Sequence, residues 1–305
     1  MVVSSSEPFD PVIGDAEQLE PGLRRIVAPN PSAMTYSGTN TYLLGDTDIA
    51  VIDPGPLDAD HLGAILAAIT PGQRITHIVV THAHLDHAAL ARPLQAECGA
   101  PVLAFGPAIS GRSAVMQRLA EDGLSGGGEG VADDFNPDET LEDGALLSGN
   151  GWRLRVLHTP GHIGNHICLA WGDACFTADH VMGWASSLVS PPDGDLTDFM
   201  MSCRRLQKQA WRRFYPGHGD MIEDPAGRLD WLISHRQLRE AAILEALRSG
   251  PLDAHELAVL IYHDTPSGLI AAATRNVFAH LVDLVGKKRI APQAPLRPTT
   301  RFHLL

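Results

Sequence analysis

Thr81-His82-Ala83-His84-Leu85-Asp86-His87 decides the reading of this chain. Three imidazoles and one carboxylate fall within residues 82–87, directly after the apolar run 75–80. A strand-like run ending in such a cluster delivers several side chains to one point. Imidazole nitrogen and carboxylate oxygen are the donors that a borderline cation such as zinc takes. The plainer alternative is a solvated, histidine-rich turn.

Three more segments end in the same kind of donor. His162 follows Thr159-Pro160-Gly161, Asp179 ends the apolar run Cys175-Phe176-Thr177-Ala178, and His218 lies in Tyr215-Pro216-Gly217-His218-Gly219. Glycine and proline let the backbone turn sharply and bring such a side chain to a rim. Taken in order, these segments resemble the metallo-β-lactamase superfamily. The resemblance implies a four-layer αββα sandwich and a metal-dependent hydrolase with two bound ions, zinc first, with iron or manganese suited to the same donors. It implies that His82, His84 and His162 hold one ion, that Asp86, His87 and His218 hold the other, and that Asp179 bridges them. Two divalent ions roughly 3.5–4 Å apart share a water and lower its pKa toward about 7. The implied chemistry is attack of a metal-bridging hydroxide on a carbonyl carbon or phosphorus, with Asp86 both a ligand and the catalytic group that orients the nucleophile. The family often has two glycines after its last motif histidine; here they are Ala88 and Ala89. No nucleophile-elbow pattern surrounds any serine.

With 305 residues the chain has room for a catalytic domain and a small accessory one. The expected division is 1–225 for the sandwich and 226–305 for a long helix followed by a helical, winged-helix-like domain. The pattern of two helices near 255–262 and 270–285 and then the basic Gly286-Lys287-Lys288-Arg289-Ile290 carries that reading. No window reads as long and apolar enough to span a membrane. Residues 1–8 lack the basic and apolar regions of a secretory leader. Cys98, Cys168, Cys175 and Cys203 have no CxxC spacing and read as reduced thiols, which fits the cytoplasm.

Strands are expected at 23–27, 41–44, 49–53, 75–80, 153–157, 166–171 and 174–177, and helices at 59–69, 88–98, 197–209 and 226–247. Residues 121–151, with Gly126-Gly127-Gly128 and many acids, read as a mobile surface loop, with an active-site lid as the alternative. Arg204, Arg205, Lys208 and Arg212 are expected on one face of the helix 197–209, either solvated or guiding an anion. Asp53 at a strand end reads equally as a turn or cap residue and as a partner of a metal-binding histidine. Asn40, Trp184 and His166 are candidate substrate contacts; a plain buried tryptophan and a surface histidine are the alternatives for the last two.

Two functions follow. The first is hydrolysis of a small thioester, ester or lactone, which the net charge of −13 favours over a polyanionic substrate. The second comes from Asn30-Pro31, Gly38-Thr39-Asn40-Thr41-Tyr42 and His235-Arg236-Gln237-Leu238-Arg239-Glu240. These resemble the β-lactamase-like protein 2 subgroup, which implies a single-strand-specific endoribonuclease acting on single-stranded RNA. Expected partners are a small molecule or that RNA, with no membrane and with a homodimer left open. A non-enzymatic binding protein on the same scaffold would show lost ligands, and all the ligand positions are filled.

Overall fold

A computed structural model of the chain describes residues 9–126, 130–263 and 266–305. The start of the chain read above, residues 1–8, and the Gly127-Gly128 part of the glycine run lie outside the described residues.

The first sheet has seven strands paired in chain order: β1 Glu17–Glu20, β2 Leu23–Val27, β3 Asn40–Leu44, β4 Asp48–Ile52, β5 Arg74–Val79, β6 Val102–Ala104 and β7 Glu139–Thr140. Pairing is antiparallel from β1 to β4 and parallel from β4 to β7. The second sheet holds β8 Leu146–Gly149, β9 Trp152–His158, β10 Ile167–Trp171, β11 Ala174–Ala178 and β12 Arg213–Pro216, in the order β12-β11-β10-β9-β8. The helices are α1 Ala59–Ala67, α2 Leu85–Ala88, α3 Ala91–Cys98, α4 Ala114–Glu121, α5 Leu196–Leu206, α6 Pro225–Ala246, α7 Ala254–Ile261 and α8 Ile270–Gly286. A hairpin of β13 Ile290–Pro292 and β14 Phe302–Leu304 follows them.

Period-two alternation places the layers. On β4, Ala50 and Ile52 face the second sheet while Ile49 and Val51 face α1 and α3. On β10 and β11, Ile167, Leu169, Ala174 and Phe176 face the first sheet, and Cys168, Ala170 and Cys175 face α5 and α6. Each strand with two apolar faces must be covered on both, and helix–sheet–sheet–helix is the result. Aspartate caps begin the helices that follow turns: Asp58 for α1, Asp195 for α5, Asp224 before Pro225 for α6, and Asp253 with Glu256 as a capping box for α7.

The C-terminal core is not built from the C-terminal residues alone. Met116 and Leu119 of α4 pack with Ile243 and Leu247 at the end of α6, Leu257 of α7, Val277, Phe278 and Leu281 of α8, and Ile290 and Phe302 of the hairpin. Ser267–Gly286 has the length and mean hydropathy, 1.3, of a membrane-crossing helix, contrary to the sequence expectation. Half of that window is buried, because α8 is the central helix of this core.

Other differences are local. The helix expected over 88–98 is α3, which starts at Ala91, and the short α2 precedes it within the histidine motif. The stretch 121–151 contains β7 and β8, and its described residues 130–132 are tied to the histidine motif: Leu85 N donates to Gly130 O at 3.1 Å and Ala132 N to Ala83 O at 2.8 Å. α5 ends at Leu206, so Lys208 and Arg212 do not share its face. Arg212 pairs with Glu20 at 2.8 Å and Asp173 at 3.2 Å, and Arg205 with Asp143 at 2.8 Å.

Gly161 shows how tightly the second helical layer is seated. It has φ +140°, and a Cβ there would lie 2.3 Å from Phe199 Cα. Gly161→Ala is expected to cost about 3 kcal/mol through strain and overpacking. Gly268→Ala, with no atom near the new methyl, should change stability by under about 0.5 kcal/mol. Urea unfolding of the metal-free protein measures both.

His280 on α8 is buried and neither ring nitrogen makes a hydrogen bond. Burial, then the positive charge of Arg236 and more weakly Lys287 and Arg239, pushes it well below 6.5. It stays neutral when folded and protonates only when unfolded, so its contribution is present above pH 6.5 and is lost as pH falls below it. Between pH 7.5 and 5.5 the wild type should lose about 1.4 kcal/mol more stability than His280→Leu. Parallel loss in both proteins would contradict this.

Candidate metal centre

The sandwich brings four chain segments to one end of its two sheets. The motif 82–87 leaves β5, and His84 starts α2 as its N-cap. His162 lies in the β9–β10 turn, Asp179 follows β11, and His218 follows β12. Two of the strand exits use a left-handed backbone in a residue other than glycine: Asp53 after β4 has φ 53° and Ala178 at the end of β11 has φ 41°. Such conformations cost of order 1–3 kcal/mol. The register between β11 and β12 also shifts after Phe176, which bends the chain so that Asp179 enters the site. Gly217 is required by the same approach, since a Cβ there would lie 2.3 Å from Asp179 Oδ1 and 2.7 Å from His87 Cε1.

The donor atoms fall into two groups. His84 Nδ1 lies 3.0 Å from both His82 Nε2 and His162 Nε2. His218 Nε2 lies 3.3 Å from His87 Nε2 and 3.2 Å from Asp86 Oδ2. Asp179 stands between them, with Oδ1 3.3 Å from His87 Nε2 and Oδ2 3.3 Å from His218 Nε2 and 3.7 Å from His162 Nε2. The structure thus brings His82, His84, His162, Asp86, His87, His218 and Asp179 together. Each group has its ligating atoms within 4.8 Å of one another. His82 and His87 are fully buried, whereas His84, Asp86, His162 and Asp179 keep 5–8% exposure and mark the mouth.

The opposite ring edges are fixed. His87 Nδ1 lies 2.9 Å from Asp53 Oδ2, and Asp53 also accepts from Thr81 N and Thr81 Oγ1, both at 2.7 Å. His162 Nδ1 donates to Leu188 O at 2.8 Å and His218 Nδ1 to Gly38 O at 3.2 Å. A proton held on Nδ1 leaves the Nε2 lone pair aimed inward, as a metal ligand requires. Of the two roles open to Asp53, the structure selects the histidine partner.

Electrostatics separate the two groups. Burial holds His82, His84 and His162 below 6.5, His84 at about 3. Burial acts in the same direction on His87 and His218, but Asp86 and Asp179 outweigh it and raise His87 well above 6.5 and His218 to about 10. The carboxylates, which burial would raise, are held well below 3.8 mainly by His87 and His218. Asp86 Oδ1 and Asp179 Oδ1 are buried and accept no hydrogen bond. Unsatisfied buried carboxylate oxygens beside converging imidazole nitrogens fit two divalent cations. The four cysteines are unpaired, and none belongs to either group.

The candidate substrate contacts fare differently. Asn40 is fully buried, and its amide donates to Pro216 O at 2.9 Å and Gly219 O at 2.8 Å. It therefore tethers the turn that presents His218. His166 is also fully buried, 3.0 Å from Thr159 Oγ1, with its ring 5.1 Å from that of His82. It lies behind the first group, not at the surface. Trp184 is half-buried beside Gly219 and stacks on Tyr36 at 5.0 Å. The sequence reading missed the carbonyls of Gly38 and Leu188, because backbone acceptors leave no residue-type signal.

The protein is expected to retain about two divalent ions per chain, and His84→Ala about one or fewer. Asp53→Ala should weaken binding about 10–100-fold by freeing His87. Elemental analysis after dialysis, with far-ultraviolet circular dichroism as the folding control, measures all three. Two full equivalents in His84→Ala would contradict the assignment.

A family model described as the metallo-beta-lactamase superfamily matches residues 34–218. A beta-lactamase-like protein 2 homolog of Drosophila melanogaster is 32% identical over 291 residues, covering 88% of this chain and 90% of that protein. An atrochrysone carboxyl ACP thioesterase of Aspergillus fumigatus is 32% identical over 248 residues, covering 78% and 69%. A solved metallo-beta-lactamase family protein of Thermus thermophilus superposes with TM-score 0.74 at 26% identity, covering 94% of this chain and all of that one. A beta-lactamase domain protein of Burkholderia ambifaria, at 20% identity, shares the fold with TM-score 0.80 over 97% and 95%.

Proposed function

From the premise that this chain belongs to the metallo-beta-lactamase superfamily, we propose that it is a dinuclear zinc hydrolase of a small thioester, ester or lactone. The observation that carries the chemistry is the position of Asp179 between two complete donor groups. Bound divalent cations supply a Lewis acid for the substrate oxygen and a water acidic enough to attack near neutral pH. The residues do the rest. Asp86 accepts from Thr39 Oγ1 at 3.3 Å through Oδ2 and keeps Oδ1 free. With cations bound, Asp86 would ligate through one carboxylate oxygen and could accept a hydrogen bond from the attacking water through the other. The buried walls of the site reduce screening, so its fixed charges act strongly on the reacting carbonyl.

The substrate class rests on other support. The thioesterase relative spans most of this chain. The net charge of −13 disfavours a polyanion. Three of the basic side chains that could meet single-stranded RNA are held in ion pairs: Arg205 and Arg212 as above, and Lys287 with Glu240 at 2.8 Å and Asp283 at 2.7 Å. Cleavage of single-stranded RNA is the second reading, supported by the relative that matches nearly the whole chain.

Metal-loaded protein should hydrolyse members of a panel of acyl thioesters, esters and lactones. Chelator treatment, His84→Ala and Asp86→Asn should each lower kcat/KM by about 10³-fold or more. An untouched panel together with metal-dependent cleavage of a short unstructured RNA would replace the thioester reading with the phosphodiester one.

A further inference from the structure

Two arginines of α6 have no part in the chemistry above. Arg228 and Arg236 lie on the inward face of the helix with Leu229 and Leu232, 8% and 2% exposed. A buried guanidinium ordinarily has a carboxylate beside it. Here the donors go to neutral oxygens. Arg228 Nε donates to Met182 O at 2.7 Å and Nη2 to Ala185 O at 2.6 Å. Arg236 Nη2 donates to Ser187 O and Nη1 to Asn276 Oδ1 at 3.0 Å. The same Asn276 oxygen, on α8, accepts from Val189 N at 3.1 Å.

These bonds hold the backbone of 182–189 from behind, and Leu188 sits between the two clamped residues. Its carbonyl is the one that takes His162 Nδ1. Ser187 Oγ, on the same segment, donates to the carbonyls of Asp179 and His180. Arg236 also lies over the Phe199 ring, 5.1 Å from its centroid, and the Phe199 backbone is what Gly161 packs against. One guanidinium therefore backs both the loop that orients His162 and the wall behind the turn that carries it.

We propose that Arg236, together with Asn276, is a positioning residue for the metal ligand His162, acting through the Leu188 carbonyl, so that α6 and α8 are part of the metal site and not an appended module. The inference rests on the two-metal reading. Loss of either side chain frees the 187–189 backbone, lets the His162 ring turn, and weakens the ion held by His82, His84 and His162. The ion held by Asp86, His87 and His218 is touched less, since its outer partners are Asp53 and Gly38.

The test compares wild type, Arg236→Met, Arg236→Lys and Asn276→Ala as full-length, metal-stripped proteins. Zinc is titrated against a chromophoric chelator, with thermal unfolding of the metal-free proteins in parallel. Arg236→Met and Asn276→Ala should weaken one zinc equivalent by about 10–100-fold, leave the other near the wild-type value, and Arg236→Lys should recover part of the loss. Lower Tm with both affinities unchanged would make Arg236 a core residue only and overturn the proposal. If Arg236→Met does not fold, Asn276→Ala, which changes a half-buried side chain, decides by the same criterion. A wild type that binds no zinc overturns the proposal together with the two-metal reading. Wild-type binding of two equivalents with unaltered variants overturns the proposal alone.

Discussion

Two carboxylates, Asp86 and Asp179, are buried within 3.2–3.3 Å of the same imidazole nitrogen, Nε2 of His218. Like charges this close and this dry repel unless positive charge lies between them. In the absence of metal, His87 and His218 supply it as raised, protonated imidazoles. Divalent cations meet the same need with more charge, and their binding displaces those protons. The surrounding architecture follows from that demand. Asp53 faces His87 from outside, backbone carbonyls face His162 and His218, and none of these groups can be withdrawn without releasing a ring.

The sandwich meets the demand by geometry. Strands that end at one edge of a two-sheet stack deliver side chains from distant parts of the chain to a common rim. Strain is stored where they leave, at Asp53 and Ala178. The close backbone approach at Gly217 then lets Asp179 and His87 share a space that a single methyl would fill. The apolar faces of β4, β10 and β11, each covered on both sides, make the rim rigid enough to keep those positions.

The C-terminal helices enter this arrangement at two levels. Their core is shared with α4, so the two parts of the chain pack as neighbours. Their polar side chains reach further, since Arg228, Arg236 and Asn276 replace water as the partners of the loop 182–189. A loop with irregular backbone beside a buried site must find donors for its carbonyls. Arginine, with five donors on a long stem, supplies several at once.

The seven residues that converge at the site were legible in the sequence, because imidazole and carboxylate donors cluster in 82–87 and the family resemblance adds His162, Asp179 and His218. Strand alternation and the turn residues likewise located β2 to β5 and β9 to β11 nearly to the residue. Short elements such as β6, β7 and α4 were not legible, since their apolar residues only make sense against partners far along the chain. Asn40 was a candidate substrate contact in the sequence because a polar residue in a turn has no visible partner until Pro216 and Gly219 are folded onto it. Arg236 stood in the sequence only as part of the run 235–240, because its partners Ser187 and Asn276 are likewise brought to it by folding. The sequence by itself pointed to the side chains that converge at the site, through donor chemistry and the family resemblance that the motifs carry. Only the tertiary structure decided how their rings are aimed, because that depends on backbone carbonyls and buried donors brought in by packing, and these leave no trace in residue type.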